Sequence, residues 1–328
     1  MERLTQSGAS FPGTVNRVSM TDHAPPASVR ARAKGGEIRS LARLIVFIGI
    51  YALVEAKTSY HSVWPLVATV VGASAAAAGL ALRYVWAYPG TLARNAFAVA
   101  VGAVGAFGLW RSIGLDAGVP GVFELATMPI WPVIGAVSLV PALRARVRPS
   151  GTVEIAPPLR GRMMTVNGGS TRATNHHLVE PSMRYAIDLV VVGPNGMRGD
   201  GLAPAALDRY LVFGRDVHSV VGGRVLVAHD EFPDQLPGWL NEQPLRGNHV
   251  VVSDGENELT YAHLKHGSVR VAVGDRVERG QVIAAVGNTG NSSEPHLHLH
   301  ATCGDESVPL TIGGRYLVRN DLVVTEEP

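Results

Sequence analysis

Three histidines alternate with leucines near the carboxyl end of the chain. The segment NSSEPHLHLH, residues 291–300, places His296, His298 and His300 at every second position. Because successive side chains of a β-strand point to opposite faces, these imidazoles would project together from one face. Imidazoles gathered in this way are natural zinc ligands or proton carriers. A half-buried strand with a polar outer face would give the same alternation. Three histidines in five residues nevertheless favour a functional site, either for metal binding or for proton transfer.

Two further residues are candidates for the same site. His263 ends the apolar segment TYAHL, and Asp188 stands within the apolar segment MRYAIDL. An unpaired carboxylate is costly to bury, and a metal ion or a cationic partner would remove that cost. Taken alone, His263 also fits a structural role, and Asp188 also fits a carboxylate satisfied inside the core. Their chemistry therefore depends on the elements that bring them to the histidine run.

Short runs of Val, Ile, Leu and Tyr, broken by Gly, Asn and Asp, surround these residues and predict an antiparallel all-β domain. The predicted strands are residues 185–192, 224–228, 249–253, 259–264, 269–273, 282–286 and 297–302. Residues 230–247 are polar and contain proline, which predicts a long loop between two strands. Loops of this length are often functional or mobile.

The preceding part of the chain has a different composition. Residues 41–143 are rich in Ala, Val, Leu, Ile and Gly and contain four apolar stretches, 44–54, 63–82, 95–110 and 125–143. A helix needs roughly 20 apolar residues to cross the bilayer core, so the shorter first and third stretches require their flanking residues. We predict about four transmembrane helices, with the lipid bilayer as a partner. Few ionisable residues interrupt them, which favours an anchor over a transport path.

These features predict four segments. Residues 1–40 are a disordered tail rich in Ser, Thr, Pro, Gly and Arg, and residues 41–145 are the multi-pass transmembrane anchor. Residues 146–160, which include Pro149 and Gly151, are a linker to a β domain over residues 161–328. A net charge of +2 is too small to favour nucleic acid as a partner. The single cysteine, Cys303, excludes an intramolecular disulfide and a zinc-finger cluster.

The region from TYAHL to VAVGDRVERGQVIAAVGNTGNSSEPHLHLH, residues 260–300, resembles the lysostaphin/LytM-type zinc metallopeptidases. The likeness extends over about residues 175–302. It rests on the Tyr-x-His-Leu segment, the Gly-Asp and Gly-Gln turns, the Gly-Asn-Thr-Gly loop and the Pro-His-x-His ending, in that order. The resemblance implies the duplicated hybrid motif fold, an antiparallel β sandwich or barrel. It also implies Zn2+ as cofactor and hydrolysis of short peptides, the stem or cross-bridge peptides of peptidoglycan above all.

The resemblance also implies roles for single residues. His298 and Asp188 match two of the family's zinc ligands, and His263 and His296 match two catalytic histidines that do not bind the metal. Two imidazoles and one carboxylate would leave a fourth position for water, which is the pattern of a catalytic zinc site.

The third zinc ligand departs from the family's pattern. The family has a histidine four residues before the aspartate, where this chain has Arg184, and arginine does not deprotonate to bind zinc. We expect His177 to substitute for it, with His176 as the alternative. The predicted function is a membrane-anchored zinc endopeptidase. The alternative is a catalytically impaired regulator or binding protein of cell-wall enzymes, which Arg184 favours and the retained Asp188 and His298 disfavour.

The distribution of Lys and Arg and the expected substrate predict opposite sides of the membrane for the peptidase domain. Arg30, Arg32, Lys34, Arg39 and Arg43 precede the first stretch, Arg83 and Arg94 lie in the second loop, and Arg144, Arg146 and Arg148 follow the fourth stretch. The only Lys or Arg residues of the first and third loops are Lys57 and Arg111. With four spans, the positive-inside rule places both termini in the cytoplasm. A peptidoglycan substrate implies instead an extracytoplasmic peptidase domain on the inner membrane.

Overall fold

The computed structural model describes residues 27–58, 60, 62–239 and 244–326. The chain begins with a helical half and continues into a β domain. The helices of the helical half are α1 (Ala27–Lys57), α2 (Val63–Arg83), α3 (Gly90–Arg111), α4 (Val122–Thr127) and α5 (Ile130–Arg144). Of the predicted disordered tail, residues 27–40 belong to α1, and residues 1–26 lie outside the described residues.

Three segments within the described residues are long and apolar enough to cross a membrane, namely Val63–Arg83, Gly90–Arg111 and Glu124–Arg144. They coincide with the second, third and fourth predicted spans. The first predicted span lies in α1, which is not one of these segments. Arg43 precedes the apolar run of α1, and Glu55 and Lys57 follow it, so the run is short. A fourth membrane span therefore stays a prediction.

Close packing of α2 against α5 depends on glycine. A Cβ atom on Gly72 would lie 2.2 Å from the carbonyl carbon of Trp131, and one on Gly79 would lie 2.4 Å from that of Ser138. No side chain fits at these distances, so the two helix backbones approach each other at these glycines. Small residues allow this kind of contact between helices in lipid.

The β domain consists of short strands that pair mostly antiparallel. They are β1 (Val153–Ile155), β2 (Arg162–Asn167), β3 (Ile187–Val191), β4 (Asp216–His218), β5 (Gly223–His229), β6 (Asn248–Ser253), β7 (Glu258–Leu264), β8 (Arg276–Val277), β9 (Val282–Ala285), β10 (Leu297–Cys303), β11 (Glu306–Val308), β12 (Leu310–Ile312), β13 (Arg315–Tyr316) and β14 (Leu322–Val324). The main sheet has the order β14-β2-β3-β10-β7-β6-β5-β8, with β11 beside β10. The predicted all-β, mainly antiparallel domain is confirmed.

The core of the β domain follows from the alternation of side chains along its strands. In β10, Leu297, Leu299 and Ala301 are fully buried in the main apolar cluster. His298 and His300 project from the other face, as the period of a strand requires. The strand therefore anchors itself through its leucines and presents its histidines to the opposite side of the sheet.

Two segments differ from the predicted boundaries. Residues 269–273 are not a strand: the amides of Ser268 and Val269 donate to the Asp230 carboxylate at 3.3 and 3.2 Å, which diverts this backbone from a strand ladder. The Arg270 amide donates to the Ile283 carbonyl at 2.8 Å, and a turn follows. Strand β1 lies inside the predicted linker, where it pairs in parallel with β12.

The β domain packs directly on the connection between α2 and α3, residues 84–89. The Trp86 amide donates to the Asn320 side chain at 3.0 Å, and the Arg198 amide donates to the Ala87 carbonyl at 2.9 Å. Ala87 is fully buried in an apolar cluster with residues of β2 and β3. The two halves therefore share a small core of their own.

Candidate metal centre

Strand pairing brings the first two predicted ligands together. Asp188 in β3 and His298 in β10 are opposite each other in an antiparallel register. Asp188 Oδ1 lies 3.0 Å from His298 Nδ1. Both side chains are almost fully buried, with 2% and 4% exposure. The sheet thus holds a carboxylate and an imidazole at contact distance in a largely dry environment.

A short 3-10 helix, His176–Val179, brings a second imidazole to the same carboxylate. His177 Nε2 lies 3.0 Å from Asp188 Oδ2. The turn is anchored by Asn175, which is fully buried and accepts a hydrogen bond from the His177 amide at 3.1 Å. The Asn175 side-chain amide donates to the carbonyls of Arg184 and Ala186 at 3.2 and 3.1 Å. Asn175 therefore ties the histidine turn to the start of β3.

His176 remains within reach of the same centre. His176, His177 and Asp188 each offer a ligand atom, and these atoms lie within 4.8 Å of one another. The rings of His176 and His177 are 3.9 Å apart, and His177 also contacts the ring of His298 at 4.6 Å. His177 makes the hydrogen bond to Asp188, whereas His176 is the more exposed of the two. His177 is thus in hydrogen-bond contact with Asp188, while His176 stays within reach of the same carboxylate.

Arg184, in the family's usual ligand position, lies outside this cluster. It follows the 3-10 helix Pro181–Met183, is exposed, and its guanidinium carbon lies 5.9 Å from the centre of the Tyr185 ring. Its contribution to the site is its backbone carbonyl, which accepts from Asn175. The imidazole of His177 thus lies where a side chain from position 184 would be needed.

Burial and mutual contacts shift the pKa values of these groups. Burial would raise the pKa of Asp188, but nearby His177 and His296 and two hydrogen bonds hold it well below its usual range. Burial lowers the pKa of His298, and it lowers the pKa of His176 to about 4. Burial also opposes charge on His177, although the attraction of Asp188 raises the pKa of that ring. An ionised carboxylate with nearby imidazoles is a donor set that zinc accepts once the imidazoles are neutral.

The two predicted catalytic histidines lie side by side next to this centre. Their ring centroids are 4.8 Å apart, and His296 Nε2 lies 3.7 Å from Asp188 Oδ1. His296 Nδ1 contacts the Glu294 carbonyl at 2.8 Å, and His263 Nδ1 contacts the Thr289 carbonyl at 2.8 Å. Because a carbonyl only accepts hydrogen bonds, Nδ1 carries the proton in each neutral ring. Nε2 is then the proton acceptor of both histidines.

His263 is held in a strained backbone conformation. Its φ of 62° lies in the left-handed region, which a non-glycine residue rarely adopts. Its amide donates to the Arg246 carbonyl, and its carbonyl accepts from the Gly287 amide, both at 3.0 Å. A Cβ on Gly287 would lie 2.4 Å from the backbone of Lys265, so the Gly-Asn-Thr-Gly loop can pack here only with glycine. Such strain often marks residues positioned for function.

Asn167, Arg319 and His300 support the centre but were not assigned roles from the sequence. Asn167 donates to Asp188 Oδ2 at 2.8 Å, and Arg319 donates to the Asn167 oxygen at 2.6 Å. His300 Nδ1 lies 3.0 Å from His298 Nε2, which fixes the orientation of that ring. The signal for His300 was its alternate position after His298. Nothing in the local sequence marks Asn167 or Arg319, because their contacts depend on the pairing of distant segments.

Family comparison gives this geometry a context. Peptidase family M23 matches residues 206–309, a stretch that contains His263, His296 and His298. This stretch is an M23 peptidase domain. The predicted lysostaphin/LytM resemblance is thereby confirmed. His177 and Asp188 lie before the matched stretch, and β3 and the histidine turn bring them to it.

Individual relatives of the M23 domain cover only part of either chain. A glycyl-glycine endopeptidase, ALE-1, of Staphylococcus capitis is 32% identical over 106 residues, which are 32% of this chain and 26% of that protein. The peptidoglycan DD-endopeptidase ShyA of Vibrio cholerae serotype O1 is 45% identical over 66 residues, 20% of this chain and 15% of that protein. The structure of lysostaphin from Staphylococcus simulans aligns with a TM-score of 0.25 at 22% identity, covering 38% of each chain. This chain thus spans about a quarter or less of the curated relatives named here.

The family also bears on the cofactor. M23 peptidases are zinc metallopeptidases, in agreement with the predicted Zn2+. The donor set around Asp188 consists of nitrogen and oxygen ligands, which zinc accepts.

Proposed function

We propose that this protein is a zinc-dependent endopeptidase that cleaves the stem or cross-bridge peptides of peptidoglycan, with its helical half as a membrane anchor. One observation carries the proposal. His177 and His298 each contact one oxygen of Asp188 at 3.0 Å, and the paired His263 and His296 lie beside them. This arrangement combines a metal-binding set with a proton carrier, His296, and a neutral hydrogen-bonding imidazole, His263, in an M23 domain.

In the proposed mechanism, His177, Asp188 and His298 would hold the ion. When bound, zinc acts as a Lewis acid that polarises the scissile carbonyl and lowers the pKa of water. His296 accepts the proton of the attacking water at Nε2, because its Nδ1 already carries a proton and donates it to the Glu294 carbonyl. It then returns the proton to the leaving amine as general acid. Burial holds the pKa of His263 well below its usual range, so this ring remains a neutral hydrogen-bonding partner next to His296.

The alternative function, a regulator or binding protein of cell-wall enzymes, depends on Arg184. That alternative requires the metal-binding set to be broken by the missing family histidine. The 3.0 Å contact of His177 with Asp188 supports a complete set instead.

Cleavage by the full-length protein in detergent, supplied with zinc, tests the proposal. We expect new amino termini to appear in purified peptidoglycan, a metal chelator to abolish their release, and added zinc to restore it. Amino termini are measured by dye labelling and the cleaved bond by mass spectrometry. A protein that binds no zinc and releases no amino termini would be the regulator. A zinc-loaded protein that cleaves free peptides but not peptidoglycan would contradict only the proposed substrate.

We further propose that the peptidase domain lies outside the cytoplasmic membrane. A three-span anchor with the arginine-rich start of the chain inside would place the domain outside, and the positive-inside rule supports the inside position of that start. The same topology also puts Arg83, Arg94, Arg144 and Arg148 outside, against the rule. Arg146 forms an ion pair with Asp321 of the β domain at 3.0 Å, so part of the arginine excess serves contact between the halves. The opposing consideration is that Leu44 of α1 packs with Trp86 and Phe97, beside α2 and α3. A span by α1 would put the domain in the cytoplasm.

Reporters fused after Pro328 measure the orientation. Alkaline phosphatase, which is active only outside the cytoplasmic membrane, is expected to be active at this position. Green fluorescent protein exported by the general secretory route does not fluoresce, so the matching fusion should be dark. Fluorescence together with inactive phosphatase would place the domain in the cytoplasm and exclude direct cleavage of the cell wall.

A further inference from the structure

We propose that the α2–α3 connection is a working part of the peptidase site, and that Arg198 is the positioning residue through which it orients His296. The inference rests on the proposed function, because it concerns the histidine that carries the proton. Three successive contacts link Tyr88 to His296: Tyr88 to Arg198, Arg198 to Glu294, and Glu294 to His296.

Arg198 is a buried cation with a carboxylate partner. The whole residue has 0% exposure. Its Nε lies 3.0 Å from both oxygens of Glu294, and its Nη2 lies 2.6 Å from Oε2. Its Nη1 donates to the Leu202 carbonyl at 3.1 Å. A buried arginine is tolerated only when its charge and donors are matched in this way, so Glu294 is held firmly in one place.

Glu294 passes this constraint to the catalytic histidine. Its backbone carbonyl accepts the Nδ1 proton of His296 at 2.8 Å and the hydroxyl of Ser292 at 2.9 Å. The side chain of Glu294 is therefore fixed by Arg198 while its carbonyl fixes the tautomer and the direction of the His296 ring. Loss of the side-chain contact would free the carbonyl to move, and the imidazole with it.

The helical half holds the other side of Arg198. The ring of Tyr88, in the α2–α3 connection, lies 3.9 Å from the guanidinium carbon, a close cation–π contact. The Ala87 carbonyl accepts from the Arg198 amide at 2.9 Å, and the Thr91 amide donates to the Asn195 carbonyl at 2.8 Å. The backbone and the side chain of Arg198 are thus both attached to the connection. The β domain alone would lack this support for His296.

The decisive variant leaves both Arg198 and Glu294 in place, because the loss of either residue would bury an unpaired charge. In the full-length protein, Tyr88→Leu should lower kcat by about 10-fold or more, because a displacement of about 1 Å in catalytic geometry can cost about 10²-fold. KM and zinc content should stay near the wild-type values. Tyr88→Phe should retain activity, because its ring keeps the cation–π contact. Arg209→Gln is the matched control, since Arg209 forms an exposed ion pair with Asp200.

The outcomes separate this inference from the proposed function. Unchanged kcat in Tyr88→Leu, with an active wild type, would overturn the coupling and leave the endopeptidase proposal intact. Equal losses in Tyr88→Phe and Tyr88→Leu would also overturn it, because the ring face would then be irrelevant. Hydrogen exchange of residues 291–300, measured by mass spectrometry, applies even to an inactive wild type. Faster exchange in Tyr88→Leu than in Arg209→Gln is expected, and equal exchange contradicts the proposal.

Discussion

Replacement of Asp188 by alanine should remove zinc from the protein and lower kcat/KM for peptide cleavage by about 10³-fold or more. Asp188 contacts His177 and His298 with separate oxygens at 3.0 Å each. Its loss therefore removes the carboxylate that lies between the two imidazoles. Loss of a Lewis acid removes several kcal/mol of transition-state stabilisation, and about 1.4 kcal/mol is a factor of ten in rate. Zinc per chain is measured by mass spectrometry of the metal, and cleavage by release of amino termini.

The same measurement distinguishes the two neighbouring histidines. His177→Ala should lose zinc as Asp188→Ala does, whereas His176→Ala should retain it, because His177 makes the hydrogen bond to Asp188. His176→Ala is a close control, since both residues belong to the same 3-10 helix. Zinc retained in His177→Ala and lost in His176→Ala would show that the ligand assignment is wrong. Thermal unfolding of each variant reveals whether a loss of zinc reflects a general loss of structure.

The local pattern of the sequence was sufficient for the histidine strand. Alternation of His and Leu places Leu297 and Leu299 in the core and His298 and His300 on the opposite face, and β10 has this arrangement. Alternation alone was misleading at residues 269–273. Their side chains are exposed or half-buried, and the Val269 amide, like that of Ser268, donates to the Asp230 carboxylate. A strand needs a partner on at least one side, and local sequence does not name that partner.

The contacts that complete the site are non-local, which is why sequence patterns did not reveal them. Arg198 lies in the loop sequence GMRGDG, which reads as a solvated turn, yet the whole residue has 0% exposure because Tyr88 and Glu294 enclose it. Asn167 reaches Asp188 only because β2 pairs with β3 through an irregular register. The family motif predicted the members of the site, whereas sheet order and the docked helical half determine which groups support them.

Replacement of His296 by alanine should lower kcat by about 10²–10⁴-fold, the usual contribution of a general acid–base group, and leave zinc bound. The ring contacts the metal-binding set at one point, 3.7 Å between Nε2 and Asp188 Oδ1. Its Nδ1 is committed to the Glu294 carbonyl. His229→Ala is the control, because His229 is exposed and pairs with Glu231. Zinc content and kcat are measured on the same samples, and loss of zinc together with activity would instead make His296 a ligand.

His263 requires a different substitution, because its backbone has a φ of 62°. Asparagine tolerates the left-handed region better than most residues, and its side-chain amide can still donate to the Thr289 carbonyl. His263→Asn therefore removes the neutral imidazole beside His296 without adding backbone strain. We expect zinc to be retained and kcat to fall. The double variant should be about as impaired as His296→Ala alone, because the losses in kcat from residues that act as a unit do not add. Full additivity of the two losses would show that the histidines act in separate steps, despite rings that lie 4.8 Å apart.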